Sequence, residues 1–147
     1  MRKFEKITHY QQTPFELPKR ATSHSAGYDL APIETIEIKP GEIQKVPTGL
    51  KVSMEDGEVL LVFPRSSLGL KKQLMMANNV GVIDQDYYNS PSNEGHILIP
   101  IYNFGNQTQI IEKHERVAQG IFVQYLKTED DVATEEKRIS GFGSTDR

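Results

Sequence analysis

The stretch Glu58-Val59-Leu60-Leu61-Val62-Phe63-Pro64-Arg65-Ser66-Ser67-Leu68-Gly69 decides the class of fold. Its first half is a short, nearly continuous apolar run, which reads as a buried strand, and Pro64 ends it. Its second half opens the only segment with helical character, 66–74, and Gly69 keeps that helix short. Elsewhere the apolar residues also come in short runs, at 35–38, 44–52, 81–83, 96–102 and 116–125. Turn signals separate them: KPG at 39–41, EDG at 55–57, SPSN at 90–93 and NFGN at 103–106. Many short strands at this spacing, with one short helix, predict an all-β sandwich, jelly roll or barrel.

The chain has 147 residues, enough for one domain with a core that needs neither disulfides nor a structural metal. Cysteine is absent, which removes thiolate metal sites and thiol nucleophiles. The histidines, His9, His24, His96 and His114, lack ligand spacing. No apolar run approaches the roughly 20 residues that cross a bilayer, and the start MRKFEKITHYQQ has no signal-peptide core. A soluble, cytoplasmic protein is expected, with no membrane partner. The net charge of −3, with cations interspersed among acids, argues against broad nucleic-acid binding. An anionic ligand would therefore have to be held by a few placed cations.

Residues 1–127 read as the β domain and residues 128–147 as a C-terminal arm. The arm carries the acidic run Thr128-Glu129-Asp130-Asp131, then a mixed patch through Arg138, and ends in Ser140-Gly141-Phe142-Gly143-Ser144-Thr145. One reading is a frayed terminus. The other is an arm that orders over a ligand, with one aromatic, permissive glycines and hydroxyls suited to phosphate oxygens.

Four internal segments could carry chemistry. Arg65, Ser66 and Ser67 leave a strand at a helix start, an arrangement suited either to an anion or simply to a serine cap. In 115–120 (ERVAQG), alternation puts Gln119 on the face of Val117 and Ile121, where it interrupts an apolar surface. In 26–30 (AGYDL), Asp29 sits between an aromatic and an aliphatic residue, as a turn acid would. In 81–89 (GVIDQDYYN), Asp84 comes straight off an apolar pair, a rigid mount for a general base. Strand alternation would put Asp84 and Asp86 on one side, where they could perturb each other or draw a divalent cation.

In order, AGYDL at 26–30, PRSSLG at 64–69, NNVGVIDQDYYN at 78–89, ERVAQ at 115–119 and GFGST at 141–145 resemble the five motifs of the trimeric dUTP diphosphatase (dUTPase) family. Each piece is weak alone; five in sequence, spanning nearly the whole chain, are specific. The resemblance implies a distorted jelly roll, or β-clip, assembling as a homotrimer with sites between subunits and a flexible C-terminal arm. It implies hydrolysis of dUTP to dUMP and pyrophosphate with Mg²⁺. Carried over, Asp84 is the general base, Tyr87 the ring under the deoxyribose, and Asn78 with Gly81 the uracil reader. Arg65, Ser66, Ser67 and Gln119 are phosphate ligands, Asp29 stands near the metal through water, and Arg116 is structural or at an interface. Phe142 stacks on uracil, Gly143, Ser144 and Thr145 close over the phosphates, and Arg138 reaches the γ-phosphate.

The chain departs from the family pattern in three places. After the tyrosine, 88–95 (YNSPSNEG) is longer than the usual RGE-like turn; Arg138 is four rather than five residues before Phe142; Asp146 stands where glycine is usual. Related dCTP deaminases carry a catalytic glutamate three residues before an asparagine, and here that position is Pro100 before Asn103, which cannot move protons. A phage-type regulatory binding role on top of hydrolysis would be sought in 88–95, and a β-sandwich binding module without chemistry is the blandest reading.

Overall fold

The structure, a computed structural model, describes residues 1–132. Among them the strands are β1 (Lys3–Lys6), β2 (Tyr28–Leu30), β3 (Ile36–Ile38), β4 (Ile43–Pro47), β5 (Leu50–Ser53), β6 (Glu58–Pro64), β7 (Leu74–Met76), β8 (Gly81–Ile83), β9 (Leu98–Asn103), β10 (Gln109–Ile111) and β11 (Ala118–Gln124). The one α-helix, α1 (Ser66–Lys72), follows β6. A four-stranded antiparallel sheet, β2-β11-β6-β8, faces a three-stranded one, β4-β9-β7, and the ribbons β1-β5 and β10-β3 complete a jelly-roll-like body. None of the described helices is long and apolar enough to cross a membrane.

The core fills the space between the sheets. Leu30, Leu60, Leu74, Ile97, Ile99, Ile101 and Ile111 are essentially inaccessible, and cutting any of them back to alanine would cost about 2–5 kcal/mol. In β6, central between β11 and β8, Leu60 and Val62 face the core and are buried, whereas Leu61 and Phe63 on the other face are half-exposed. The helix ends early for a local reason: Gln73 takes a left-handed conformation (φ 54°), and its N–H returns to the Gly69 carbonyl at 3.3 Å.

The expected strand over 44–52 is instead two strands in different sheets. β4 pairs with β9, and β5 pairs with β1. The corner between them holds Gly49 at φ +76°, with room for no side chain, since a Cβ would come within 3.2 Å of the Phe15 ring. Thr48 is buried there, and its hydroxyl donates to the Ile97 carbonyl at 2.7 Å while accepting from the Leu50 N–H at 3.2 Å. The strands β1, β2, β7 and β10 lie outside the expected set. Each is three or four residues long, too short to show a period.

The corner also explains His96. Its Nε2 accepts a hydrogen bond from the Gly49 N–H at 2.9 Å, so the ring is neutral with its proton on Nδ1. Burial pushes its pKa down to about 4, against a weaker opposing pull from Glu94; His9 lowers it further and Glu34 raises it. The folded state therefore holds fewer protons than the unfolded chain between pH 6.5 and 4, and stability falls as pH drops through that window. With the ring's partial solvent access discounted, the loss is about 1–2 kcal/mol. Urea titrations from pH 7 to 4 should show it in the wild type and show a flatter profile in His96→Gln.

Candidate functional site

The segment between β7 and β8 cannot close as an ordinary hairpin, because each strand pairs elsewhere. β7 pairs with β9 in one sheet, and β8 pairs with β6 in the other. Residues 77–80 bridge the two sheets in a tight turn, with Asn79 at φ +63° and the Val80 N–H on the Asn78 carbonyl at 2.7 Å. Below the bridge, between the sheets, lies a cavity of about 230 Å³. Val62, Met76, Ile97 and Ile99 make its apolar walls; Asn78, Gly81, Asp84 and Tyr87 supply the polar and aromatic groups. Packing is close at Gly81: a Cβ there would approach the Val62 Cβ to 3.2 Å.

Directly after β8 the chain turns into a single 3-10 turn, Gln85–Tyr87, with Asp84 extended at its start. That turn replaces the strand alternation expected over 84–87. Residues three apart now fall on one side, so Asp84 shares the cavity with Tyr87, while Asp86 is exposed outside it. Gln85 points away, donating to the Met54 carbonyl at 3.2 Å and to Asp56 at 2.8 Å. Tyr87 is buried; its hydroxyl donates to the His96 carbonyl at 2.5 Å and accepts from the Asn93 amide at 2.9 Å.

A second group gathers on neighbouring strands of the large sheet. Gln119 lies opposite Asp29 on one side and Phe63 on the other. Arg116 reaches Asp29 at 3.3 Å, and Arg65 donates to the Arg116 carbonyl at 3.2 Å. The expected facing of β11 is reversed: Ala118 and Gly120 point into the core, and Gln119 and Ile121 are half-exposed. Val117 is also buried because it precedes the strand, its N–H bonded to the Leu30 carbonyl. Gln119 therefore interrupts no buried face. The serine-cap reading of Ser66 does not hold either, because Arg65 occupies the cap position and no side chain caps the helix. Ser66 is exposed and Ser67 half-buried.

Within one chain the two groups meet β6 from opposite sides: Gly81 lies opposite Val62, next to the Phe63–Gln119 pair, while Asp84 and Arg65 stand at far ends. Ile83 pairs with Leu60, whereas Gln119 pairs with Phe63 and Arg65 lies beyond Pro64. Asp84 and Arg65 are thus roughly 15–20 Å apart along β6, at about 3.3 Å per residue. Arg138, Phe142, Gly143, Ser144 and Thr145 lie outside the described residues.

A family model described as dUTPase matches residues 13–146. The chain belongs to the dUTPase family. The deoxyuridine 5'-triphosphate nucleotidohydrolase of Lactococcus lactis is 50% identical over 146 residues, covering 99% of this chain and 97% of its own. A crystal structure of dUTPase from Streptococcus mutans superposes with a TM-score of 0.82 at 51% identity, over 86% of this chain and 98% of that one. The fold is shared by a dUTPase from phage phi11 of S. aureus, whose structure describes coordination of a structural Mg(II) ion (TM-score 0.72, 22% identity, covering 92% and 97%). Of the segments singled out in the sequence, 78–89 contributes the polar face of the cavity, and 26–30, 64–69 and 115–119 form the cluster on the sheet.

Two residues without an evident role in the sequence, Gly27 within the first motif and Asn93 outside all of them, acquire one from packing. Gly27 is buried against Gln119, and a Cβ at Gly27 would lie within 2.9 Å of the Gln119 Cβ and collide with its amide. Asn93, outside every motif, touches the Tyr87 hydroxyl; its only sequence signal is a turn-forming composition around it. Gly27→Ala should therefore destabilise the fold by about 1–3 kcal/mol through overpacking. Adding Gln119→Gly should recover over half of that loss in a double-mutant cycle by urea denaturation, whereas independent effects would add.

Proposed function

We propose that the chain hydrolyses dUTP to dUMP and pyrophosphate, by attack of water on the α-phosphorus, so limiting uracil in DNA and supplying dUMP for thymidylate synthesis in the cytoplasm. The observation that carries this reading is the cavity in which Asn78, Gly81, Asp84 and Tyr87 meet. At about 230 Å³ it is smaller than the roughly 300–1,000 Å³ of pockets for whole drug-sized ligands, so it holds base and sugar while the phosphates run outside.

Each group then has a task that suits its surroundings. The Asn78 amide and the backbone at Gly81 pair with the uracil edge, and a base with the opposite donor pattern, as in dCTP, leaves them unpaired. The crowding around Gly81 opposes the methyl of dTTP. Tyr87, held by two hydrogen bonds, sits under the deoxyribose and leaves no space for a 2'-hydroxyl. Asp84 orients the attacking water and takes its proton; its mount at the end of β8 supports that role, since position matters before basicity. Pro100 lines the same cavity and carries no proton, which disfavours deamination.

Arg65, Ser66, Ser67 and Gln119 take the phosphate oxygens, with Arg116 held beside Asp29. One substrate is bound by the cavity of one subunit and the cluster of another, a reading supported by the separation of roughly 15–20 Å between Asp84 and Arg65 within one chain. A homotrimer with interfacial sites meets that requirement. Among the described residues there is no group of three or more His, Cys, Asp or Glu that could cage a metal. A single carboxylate, Asp29, beside the phosphate cluster suits Mg²⁺, which keeps most of its waters and binds through phosphates, so that Asp29 would touch it through water. When bound, Mg²⁺ would neutralise charge on the triphosphate. Phe142 then covers uracil while Gly143, Ser144, Thr145 and Arg138 close over the phosphates, excluding water.

Pyrophosphate release measured with dUTP, dCTP, dTTP and UTP should be fast for dUTP alone. Asp84→Asn should lower kcat about 10²–10⁴-fold, or roughly 3–5 kcal/mol of transition-state stabilisation, and unchanged turnover would remove Asp84 as the base. Deleting residues 141–147 should abolish most turnover while leaving the sedimentation behaviour of the assembly unchanged; normal turnover in the shortened chain would rule out the lid.

A further inference from the structure

The extended segment 88–95 is folded tightly against its own chain. Glu94 accepts from Lys51 at 2.8 Å and from both the N–H and the hydroxyl of Thr8, at 3.1 and 3.0 Å. Lys51 also donates to Asn89 at 2.6 Å, and Tyr88 donates to Glu5 at 2.6 Å. Asn89, Glu94 and Gly95 all hold positive φ, at 58°, 62° and 81°. A Cβ on Gly95 would collide with the Tyr87 carbonyl, so the segment passes directly behind that residue. Such strained backbone persists only where its surroundings hold it in place.

At the centre of the segment is Asn93, and its amide divides two tasks between its two ends. The Oδ1 atom organises the turn, accepting from the Ser90 hydroxyl at 2.9 Å and the Gly95 N–H at 3.1 Å. The Nδ2 atom faces the other way and donates to the Tyr87 hydroxyl at 2.9 Å. That hydroxyl in turn donates to the His96 carbonyl, and the His96 N–H returns to the Asn93 carbonyl at 3.0 Å. The ring of contacts is closed. Asn93 does not line the cavity, whereas Tyr87 does.

We infer that Asn93 is a positioning residue for sugar selection: from behind, it fixes the Tyr87 ring at the depth that admits deoxyribose and excludes ribose. The inference rests on the reading of Tyr87 as the ring under the sugar. A free tyrosine hydroxyl could let the ring tilt and open the gap that a 2'-hydroxyl needs. The longer exit from the cavity is then part of the specificity apparatus, supplying from the insertion a support that a short turn has no residue to give.

Asn93→Asp separates the two tasks: the carboxylate still accepts from Ser90 and Gly95 but cannot donate to Tyr87, whose single hydroxyl proton then serves either the His96 carbonyl or the carboxylate, so the two-sided anchor is lost. The experiment compares kcat and KM for dUTP and UTP, by pyrophosphate release, in wild type, Asn93→Asp, Tyr87→Phe and the double variant. Asn93→Asp should lower the dUTP-to-UTP ratio of kcat/KM about five- to tenfold, mainly by lowering KM for UTP, the scale of one lost hydrogen bond. Tyr87→Phe should lower it similarly, and adding Asn93→Asp to it should lower it no further. An unchanged ratio in Asn93→Asp, or a full second drop on the Tyr87→Phe background, overturns the inference. Should Asn93→Asp fail to fold, Tyr87→Phe decides alone, since it keeps the ring and loses only the anchored hydroxyl; an unchanged ratio there overturns it too. Absence of any release from dUTP by the wild type would instead overturn the hydrolytic reading itself.

Discussion

The structure turns on the clamp between the 48–50 corner and residues 96–97. Both the Thr48 N–H and its hydroxyl go to the Ile97 carbonyl, the Ile97 N–H goes to the Leu50 carbonyl, and the Gly49 N–H goes to the His96 ring. These bonds let the chain leave one sheet and enter another with the three N–H groups of the corner and the Thr48 hydroxyl satisfied. They also fix where β9 begins. Since 97–100 form one wall of the cavity and the His96 carbonyl holds Tyr87, the geometry of the site follows from a corner that contains none of its ligand-facing residues.

Much of this was legible from the chain. The continuous run of β6, the short helix after it, and the three residues of β8 fall where their patterns put them, because short apolar runs bounded by turn residues leave a clear signal. The break at Gly49 was not legible. Gln44 to Val52 keeps strand-like composition across it, and the reason to turn lies in Ile97 and His96, nearly fifty residues away. The motifs likewise located Asp84 and Tyr87, but pairing Asp84 with Asp86 failed for a local reason: one 3-10 turn changes the period from two to three and exchanges the neighbours. Gln119 was placed on the wrong face because Val117, buried before the strand starts, mimics an alternating core position. Asn93 had no signal at all beyond turn composition, since its link to the cavity is one side-chain hydrogen bond to Tyr87, six residues away.

The division of the site into two groups has a physical logic. Base and sugar are neutral, so selecting among them depends on close packing and on polar groups that pair with only one pattern, which rigid strands and a short bridge supply within one chain. Charge is handled differently. The arginines at 65 and 116 are tethered through backbone carbonyls and Asp29 rather than buried in a cage, and they stay partly exposed.

That contrast bears on how an acidic protein can take a polyanion. A deeply buried cation would carry a large desolvation cost in the empty site, and part of it would be offset by pairing with a carboxylate such as Asp29. Keeping the cations near the surface avoids that cost until an anion arrives. Selectivity built into the fold and charge stabilisation assembled on binding are thus separable. A substitution behind Tyr87 changes which sugar fits; one beside Asp29 changes how firmly any triphosphate is held.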